Sequence, residues 1–231
     1  TEGIQRLEQE LIPKLKVHCR SLLPPQAAPD TQSAAAYIQK ANPIPPRRSG
    51  PPNRIDIVAI GCSTGGPNAL AEVFAKLPRK IGVPIVIVQH MPPIFTKMLA
   101  ERLTATGTIP CYEAVEGQIL QPDCAYLAQG GKHMELRKLA GTVTLTLHEG
   151  PLEHSCRPAV DVLFRSVVSV YGGNLLGAIL TGMGQDGLRG CQLIREKQGQ
   201  IIAQDQATSV VWGMPGYVAQ ANLADRVLPL Q

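Results

Sequence analysis

Long apolar runs are missing from this 231-residue chain. No stretch approaches the ~18–20 residues needed to cross a bilayer, which excludes a membrane-spanning helix. The N-terminus, TEGIQRLEQEL, lacks the charged-then-apolar order of a secretory signal, and it lacks an initiator Met. The expectation is a cytoplasmic protein seen as a processed or truncated chain. Clustered cysteine is also missing: Cys19, Cys62, Cys111, Cys124, Cys156 and Cys191 are scattered with no C-x-x-C pair. That argues against a disulfide framework or a tetrahedral zinc site and for reduced thiols packed as small apolar side chains. The folded body has no basic excess. Residues 1–54 hold 8 of the 22 Lys and Arg against 4 of the 18 Asp and Glu, leaving 14 of each sign for residues 55–231. A nucleic-acid footprint would need a basic stripe on that body, so nucleic-acid binding is not expected.

What is present divides in two. Ile4, Leu7, Leu11, Leu15 and Leu22 recur at helical spacing, with Glu2, Glu8 and Glu10 early and Lys14, Lys16 and Arg20 late, an order that complements a helix dipole. Pro13 would kink or end that helix. The stretch 24–53 is Pro-rich and poor in large apolar residues, which reads as a linker. Residues 1–53 are therefore expected to be a linker region, and 54–231 a catalytic domain. A chain of this size buries roughly 70–75% of its unfolded surface, enough for one substantial core.

From Arg54 on, apolar runs at 55–60, 84–88, 125–128, 174–180 and 200–203 alternate with helical patterns at 67–77, 92–104, 159–170 and 187–197. Short strands apolar on both faces, each followed by a helix, predict an α/β fold: a doubly wound, mostly parallel sheet with helices on both faces. His133–Leu136 and Thr142–Leu147 flank Lys138–Gly141 as a small antiparallel hairpin would.

Three strand ends carry polar residues of chemical interest. The first delivers Gly61-Cys62-Ser63-Thr64-Gly65-Gly66-Pro67 into a helix. Such a turn can cradle a phosphate on helix N–H groups. It also fits G-x-S-x-G, a sharp turn that exposes a Ser hydroxyl at the sheet edge. A dinucleotide fingerprint would want a third Gly and an acid about 20 residues on, and position 63 is Ser. The second strand ends at Gln89-His90-Met91-Pro92, and a later one at Leu180-Thr181-Gly182-Met183-Gly184-Gln185-Asp186-Gly187. Singly, His90 reads as structural and Asp186 as an N-cap. Together, Ser63, His90 and Asp186 follow the C-terminal ends of parallel strands, the edge where ligands bind in open α/β sheets. They are also the residue types of a hydrolytic triad. Ser63 would attack, His90 would take and return its proton, and Asp186 would hold the imidazole. The Met183 N–H is a candidate oxyanion donor, and Thr64 either positions substrate, donates to the oxyanion or stabilises the turn. The chain order Ser, His, Asp differs from the Ser, acid, His order of α/β-hydrolases.

GCSTGGP, QHMP, HMEL, RPAVDVLF, LTGMGQDG and SVVWGMPG, in this order over roughly 54–229, resemble the catalytic domain of the chemotaxis protein-glutamate methylesterases (CheB). The resemblance implies a serine esterase that hydrolyses γ-glutamyl methyl esters on chemoreceptor helices and can deamidate receptor glutamines. It needs no cofactor, and its serine, histidine and aspartate fall on Ser63, His90 and Asp186. It also implies a doubly wound sheet with a small hairpin. The family's N-terminal receiver domain has no counterpart here; residues 1–23 look like the helix leading out of one, and 24–53 like the interdomain linker. Two positions depart from the family pattern: Gln129 where Pro is usual, and Cys156 where His precedes Arg157-Pro158. Both are expected to border the receptor groove without touching the triad.

Met91, Met183 and Met214 fall in three edge loops and suit either an adaptable apolar rim or the core. Trp212 reads as core or rim packing, beside the active site by resemblance. His133, His148 and His154 show no paired spacing with carboxylates, so no metal is assigned. The competing function is a nucleotide- or phosphate-binding module built on 61–67 and 181–187. A catalytically idle scaffold is disfavoured by the intact Ser63, His90 and Asp186.

Overall fold

The Ile-Val-Ala-Ile run that opens strand β1 (Ile57–Cys62) is extended because β-branched residues tolerate burial on both faces of a sheet. In the computed structural model, which describes residues 54–230, β1 lies at the centre of a seven-stranded parallel sheet. The elements following it are α1 (Gly66–Lys76), β2 (Ile85–Gln89), α2 (Pro93–Thr106), β3 (Cys111–Glu113), β4 (Ala125–Leu127), β5 (His133–Leu139), β6 (Thr142–His148), α3 (Val160–Tyr171), β7 (Leu175–Ile179), α4 (Leu188–Glu196), β8 (Gln200–Gln204), α5 (Met214–Gln220) and β9 (Arg226–Leu228). The strand order is β3-β4-β2-β1-β7-β8-β9, with β5 and β6 forming a separate antiparallel hairpin. The helix expected in residues 4–22 and the linker after it lie outside the described residues. No helix among the described residues is long and apolar enough to cross a membrane.

The chain winds outward from β1 in one direction through β2, then returns to place β7 on the other side of β1. The order therefore reverses at the β1–β7 pair, and the crevice beyond their C-terminal ends is where such sheets bind ligands. One face of the sheet is covered in part by Ala69, Leu70 and Phe74 of α1 and Leu99, Ala100 and Leu103 of α2, leaving a cavity of about 350 Å³ beside α1 over Val58, Leu176 and Ile202. The other is covered by α3 and α4, which pack on each other. Gly61 sets how close α3 comes: a Cβ there would stand 2.4 Å from Val160 Cγ1, so any side chain would push the helix start off the sheet. The hairpin packs on the same helix and is pinned where Ser166 Oγ accepts the Leu136 N–H.

Among the described residues, the predicted strands and helices are present, with shifts of a few residues at their ends. Three short elements went unpredicted. Strands β3 and β9 are three-residue edges, and α5 is a seven-residue helix.

Candidate active site

Ser63 leaves β1 at the turn into α1, where Gly65 takes φ +83°, a left-handed conformation that costs glycine little. Its backbone is held on three sides. The N–H donates to Thr181 O (3.0 Å), and the carbonyl accepts from Gly66 N (2.8 Å) and Gln89 Nε2 (2.9 Å). Gly182 abuts it so closely that a Cβ there would lie 2.8 Å from Ser63 Cβ. His90 leaves the neighbouring strand at the same level. Cys62 pairs with Gln89, and the His90 N–H donates to Cys62 O (3.1 Å). Ser63 and His90 thus emerge side by side from strands about 4.8 Å apart. The Ser63 hydroxyl makes no side-chain hydrogen bond among the described residues.

Asp186 does reach the imidazole: His90 Nε2 and Asp186 Oδ2 are 2.8 Å apart. The carboxylate is buried and also accepts Val160 N at Oδ2 (2.6 Å) and Asp161 N at Oδ1 (2.9 Å). It caps a helix as a lone Asp was expected to, but the helix is α3 rather than the one that follows it, α4. Burial pushes the Asp186 carboxyl upward, yet the hydrogen bonds from His90, Asp161 and Val160 outweigh it and hold the group below its ordinary value. For His90, burial pulls the ring down, while Asp186 and Cys156 together raise it to about 9.

The other ring nitrogen, Nδ1, faces Cys156 Sγ at 3.6 Å. This corrects the expectation that position 156 stays clear of the triad residues. The contact is made by a tight turn in which Glu153 and Cys156 exchange backbone hydrogen bonds (3.1 and 2.9 Å), while His154 and Ser155 both take positive φ. His90 and Cys156 line one cavity of about 390 Å³, together with Met91, Leu152 and Arg157.

Met183 is 69% exposed at the tip of its loop. Its N–H, like that of Thr64, has no hydrogen-bond partner among the described residues. The Thr64 side chain is exposed, and its carbonyl is gripped by Thr181 Oγ1 (2.9 Å). Two unspent backbone donors therefore flank Ser63, one on each bordering loop.

Comparison with known proteins gives this arrangement a context. A sequence model of the CheB methylesterase family matches residues 58–231. The chain belongs to that family. It is 47% identical over 232 residues to a protein-glutamate methylesterase/protein-glutamine glutaminase of Trichodesmium erythraeum, covering 99% of this chain and 64% of the relative. A protein of the same name from Maricaulis maris is 52% identical over 189 residues, which is 80% of this chain and 47% of that one. The chain thus spans about half to two-thirds of the length of these relatives. The crystal structure of the Thermotoga maritima CheB methylesterase catalytic domain superposes with a TM-score of 0.75 at 41% identity, covering 76% of this chain and 93% of that one.

Several residues that shape the site of this CheB-family chain escaped sequence reasoning. Gln89, buried, donates through Nε2 to both Ser63 O and His90 O (2.9 Å each), tying the two strand ends together. Thr181 is also buried; its Oγ1 accepts the Val211 N–H (2.9 Å), and its own N–H donates to Gln204 Oε1 (2.8 Å). The available signal was a polar residue closing an otherwise apolar strand run, which in a doubly covered sheet needs a specific partner. Trp212 is half-buried; its Nε1–H donates to Gln204 O (3.1 Å), and its backbone bridges to Gly182. Met214 lies under Gly182 as core, whereas Met91 and Met183 remain at the rim.

Two of the histidines expected to lack carboxylate partners meet one in the fold. His154 Nε2 pairs with Asp161 Oδ2 at 2.8 Å, and His148 with Glu135 at 3.4 Å. The second pair is a cross-strand diagonal that linear spacing conceals. Burial and the nearby Asp186 raise the Asp161 carboxyl despite help from Gly190 N–H and His154. Glu153, His154 and Asp161 bring ligand atoms within 4.8 Å of one another. Both Glu153 oxygens, however, are taken by Arg165 (2.6 and 2.7 Å), and Asp161 Oδ1 accepts Gly190 N (2.7 Å). The cluster's charge is already compensated by protein groups.

Proposed function

We propose that this chain is a serine hydrolase acting on the γ-glutamyl methyl esters of chemoreceptors, with release of methanol and reversal of adaptation. The observation that supports it most is the Asp186–His90 contact placed beside Ser63 at the reversal point of the sheet. With Nε2 committed to Asp186, Nδ1, which rests against Cys156 Sγ at 3.6 Å, is the nitrogen that takes the Ser63 proton. Ser63 Oγ attacks the ester carbonyl, and the resulting oxyanion is met by the Thr64 and Met183 N–H groups. His90 returns the proton to the departing methoxide, leaving a glutamyl-Ser63 ester that water hydrolyses by the same base. Asp186 stabilises the imidazolium without taking its proton. The site residues Ser63, His90, Asp186, Thr64 and Met183 need no cofactor for this sequence. The names of the relatives also cover glutamine deamidation, and the same steps with ammonia leaving would perform it here.

The substrate is a receptor helix, and the exposed apolar side chains of Met183, Leu152 and Ile94 offer it a greasy approach. Residues 1–53 act as the linker to a regulatory domain of the receiver class. The test is methanol release from methyl-labelled receptor membranes. The chain should release label, and Ser63→Ala should abolish that release; equal release by both would end the hydrolase reading.

A further inference from the structure

Asp186, His90 and Cys156 form a continuous line of carboxylate, imidazole and thiol, at 2.8 Å and 3.6 Å. An acid–imidazole pair holding a thiol is the arrangement that activates nucleophilic cysteines. The proton of Cys156 has an acceptor in Nδ1, and the half-buried sulfur opens on the 390 Å³ cavity it shares with His90. None of the other described cysteines has this combination. Cys62, Cys111 and Cys191 are buried, and burial raises each of their thiols. The Cys124 thiol is raised by burial and by Asp123.

We propose that Cys156 is a reversible modification site for low-molecular-weight disulfides, and that the adduct shuts the hydrolase by occupying the side of His90 that faces the substrate. The blocking half rests on the function proposed above, because Nδ1 is the ring nitrogen that Ser63 needs. In the exchange, the Cys156 thiolate attacks one sulfur of R–S–S–R. A new S–S bond forms to Cys156, the old one breaks, and the departing R–S⁻ takes up the proton that His90 had accepted. Cys156 is oxidised to the disulfide level, and the released half is reduced to a thiol. Excess thiol runs the reaction backward.

The probe is 4,4′-dithiodipyridine, with thiopyridone release followed over time and the adduct assigned by mass spectrometry of proteolytic peptides. Peptide assignment separates Cys156 from Cys19, which lies outside the described residues. At neutral pH, Cys156 should react at least about tenfold faster than Cys124, and His90→Ala should slow it about tenfold. Ester hydrolysis should fall in step with Cys156 labelling and return on adding dithiothreitol. Cys156→Ser and Cys156→Ala, each compared with its own untreated sample, should lose no hydrolysis to the reagent. Cys156 labelling no faster than Cys124, a rate unmoved by His90→Ala, or full hydrolysis by the labelled chain would each overturn the proposal. Failure of the hydrolase reading shows separately, as absence of ester cleavage before any reagent is added.

Discussion

Replacing Asp186 by Asn separates its two jobs, capping α3 and charging His90. Oδ2 meets two donors, His90 Nε2 and Val160 N, and Oδ1 meets one, Asp161 N. The amide oxygen therefore takes the Oδ2 place, and the His90 tautomer is kept. The new NH2 then confronts the Asp161 N–H, and an orphaned buried donor costs about 1–3 kcal/mol. For a domain near this size each kcal/mol lowers Tm by about 2–4 °C, so the loss should be several degrees. The charge is the larger matter for rate. His90 stands at about 9 against an ordinary 6.5. At ~1.4 kcal/mol per pKa unit, that is roughly 3 kcal/mol favouring imidazolium, to which Asp186 contributes more than Cys156. Losing most of it where the imidazolium forms should cut the limiting kcat, read above pH 9, by about 10²-fold. The acid limb of the pH–rate profile should move from about 9 toward 6.5. Receptor demethylation at several pH values, together with thermal melts of the same samples, measures both effects. A variant that melts several degrees lower yet works within threefold of the parent rate above pH 9, where the ring is unprotonated in both proteins, would make Asp186 a helix cap and nothing more.

Two further outcomes follow from the same geometry. Because Asp186 and Cys156 hold the His90 ring protonated up to about 9, kcat/KM should climb about tenfold per pH unit below that value. Stability runs the other way: a raised folded pKa contributes fully below 6.5, and the contribution is lost as pH rises through about 9. Parallel rate and melting curves should therefore cross, and flat curves from neutrality to about pH 9 would refute the His90 assignment. Separately, a chain beginning at Arg54 should unfold in one cooperative transition, since the described buried core starts at Ile57; a broad, non-cooperative melt would contradict this.

The parts of the fold visible in the sequence are those whose own residues dictate conformation. The Ile-Val-Ile-Val run of β2 can only be a doubly covered strand, and α3 carries an unbroken apolar stripe through Val160, Leu163, Phe164 and Val167. What escaped is structure supplied by neighbours. Cys-Tyr-Glu and Arg-Val-Leu become strands because β4 and β8 offer free edges to pair with. Met-Pro-Gly-Tyr in α5 looks like a loop until Pro215 is placed in the first helical turn, where its missing N–H costs nothing. The site divides the same way. Ser63, His90 and Asp186 could be read because each follows a strand end that the apolar runs mark. Cys156 could not. It lies 66 positions from His90 and arrives on a turn where two consecutive non-glycine residues, His154 and Ser155, take the uncommon left-handed conformation.

The hydrolase proposal requires Ser63 and His90 to act as one device, and rates of methanol release for Ser63→Ala, His90→Ala and the double variant decide whether they do. Each single change should cost several orders of magnitude and the double little more, because either loss alone disables the shared step. Losses that multiply in the double variant would mean that hydroxyl and imidazole work independently, which contradicts a shared proton transfer.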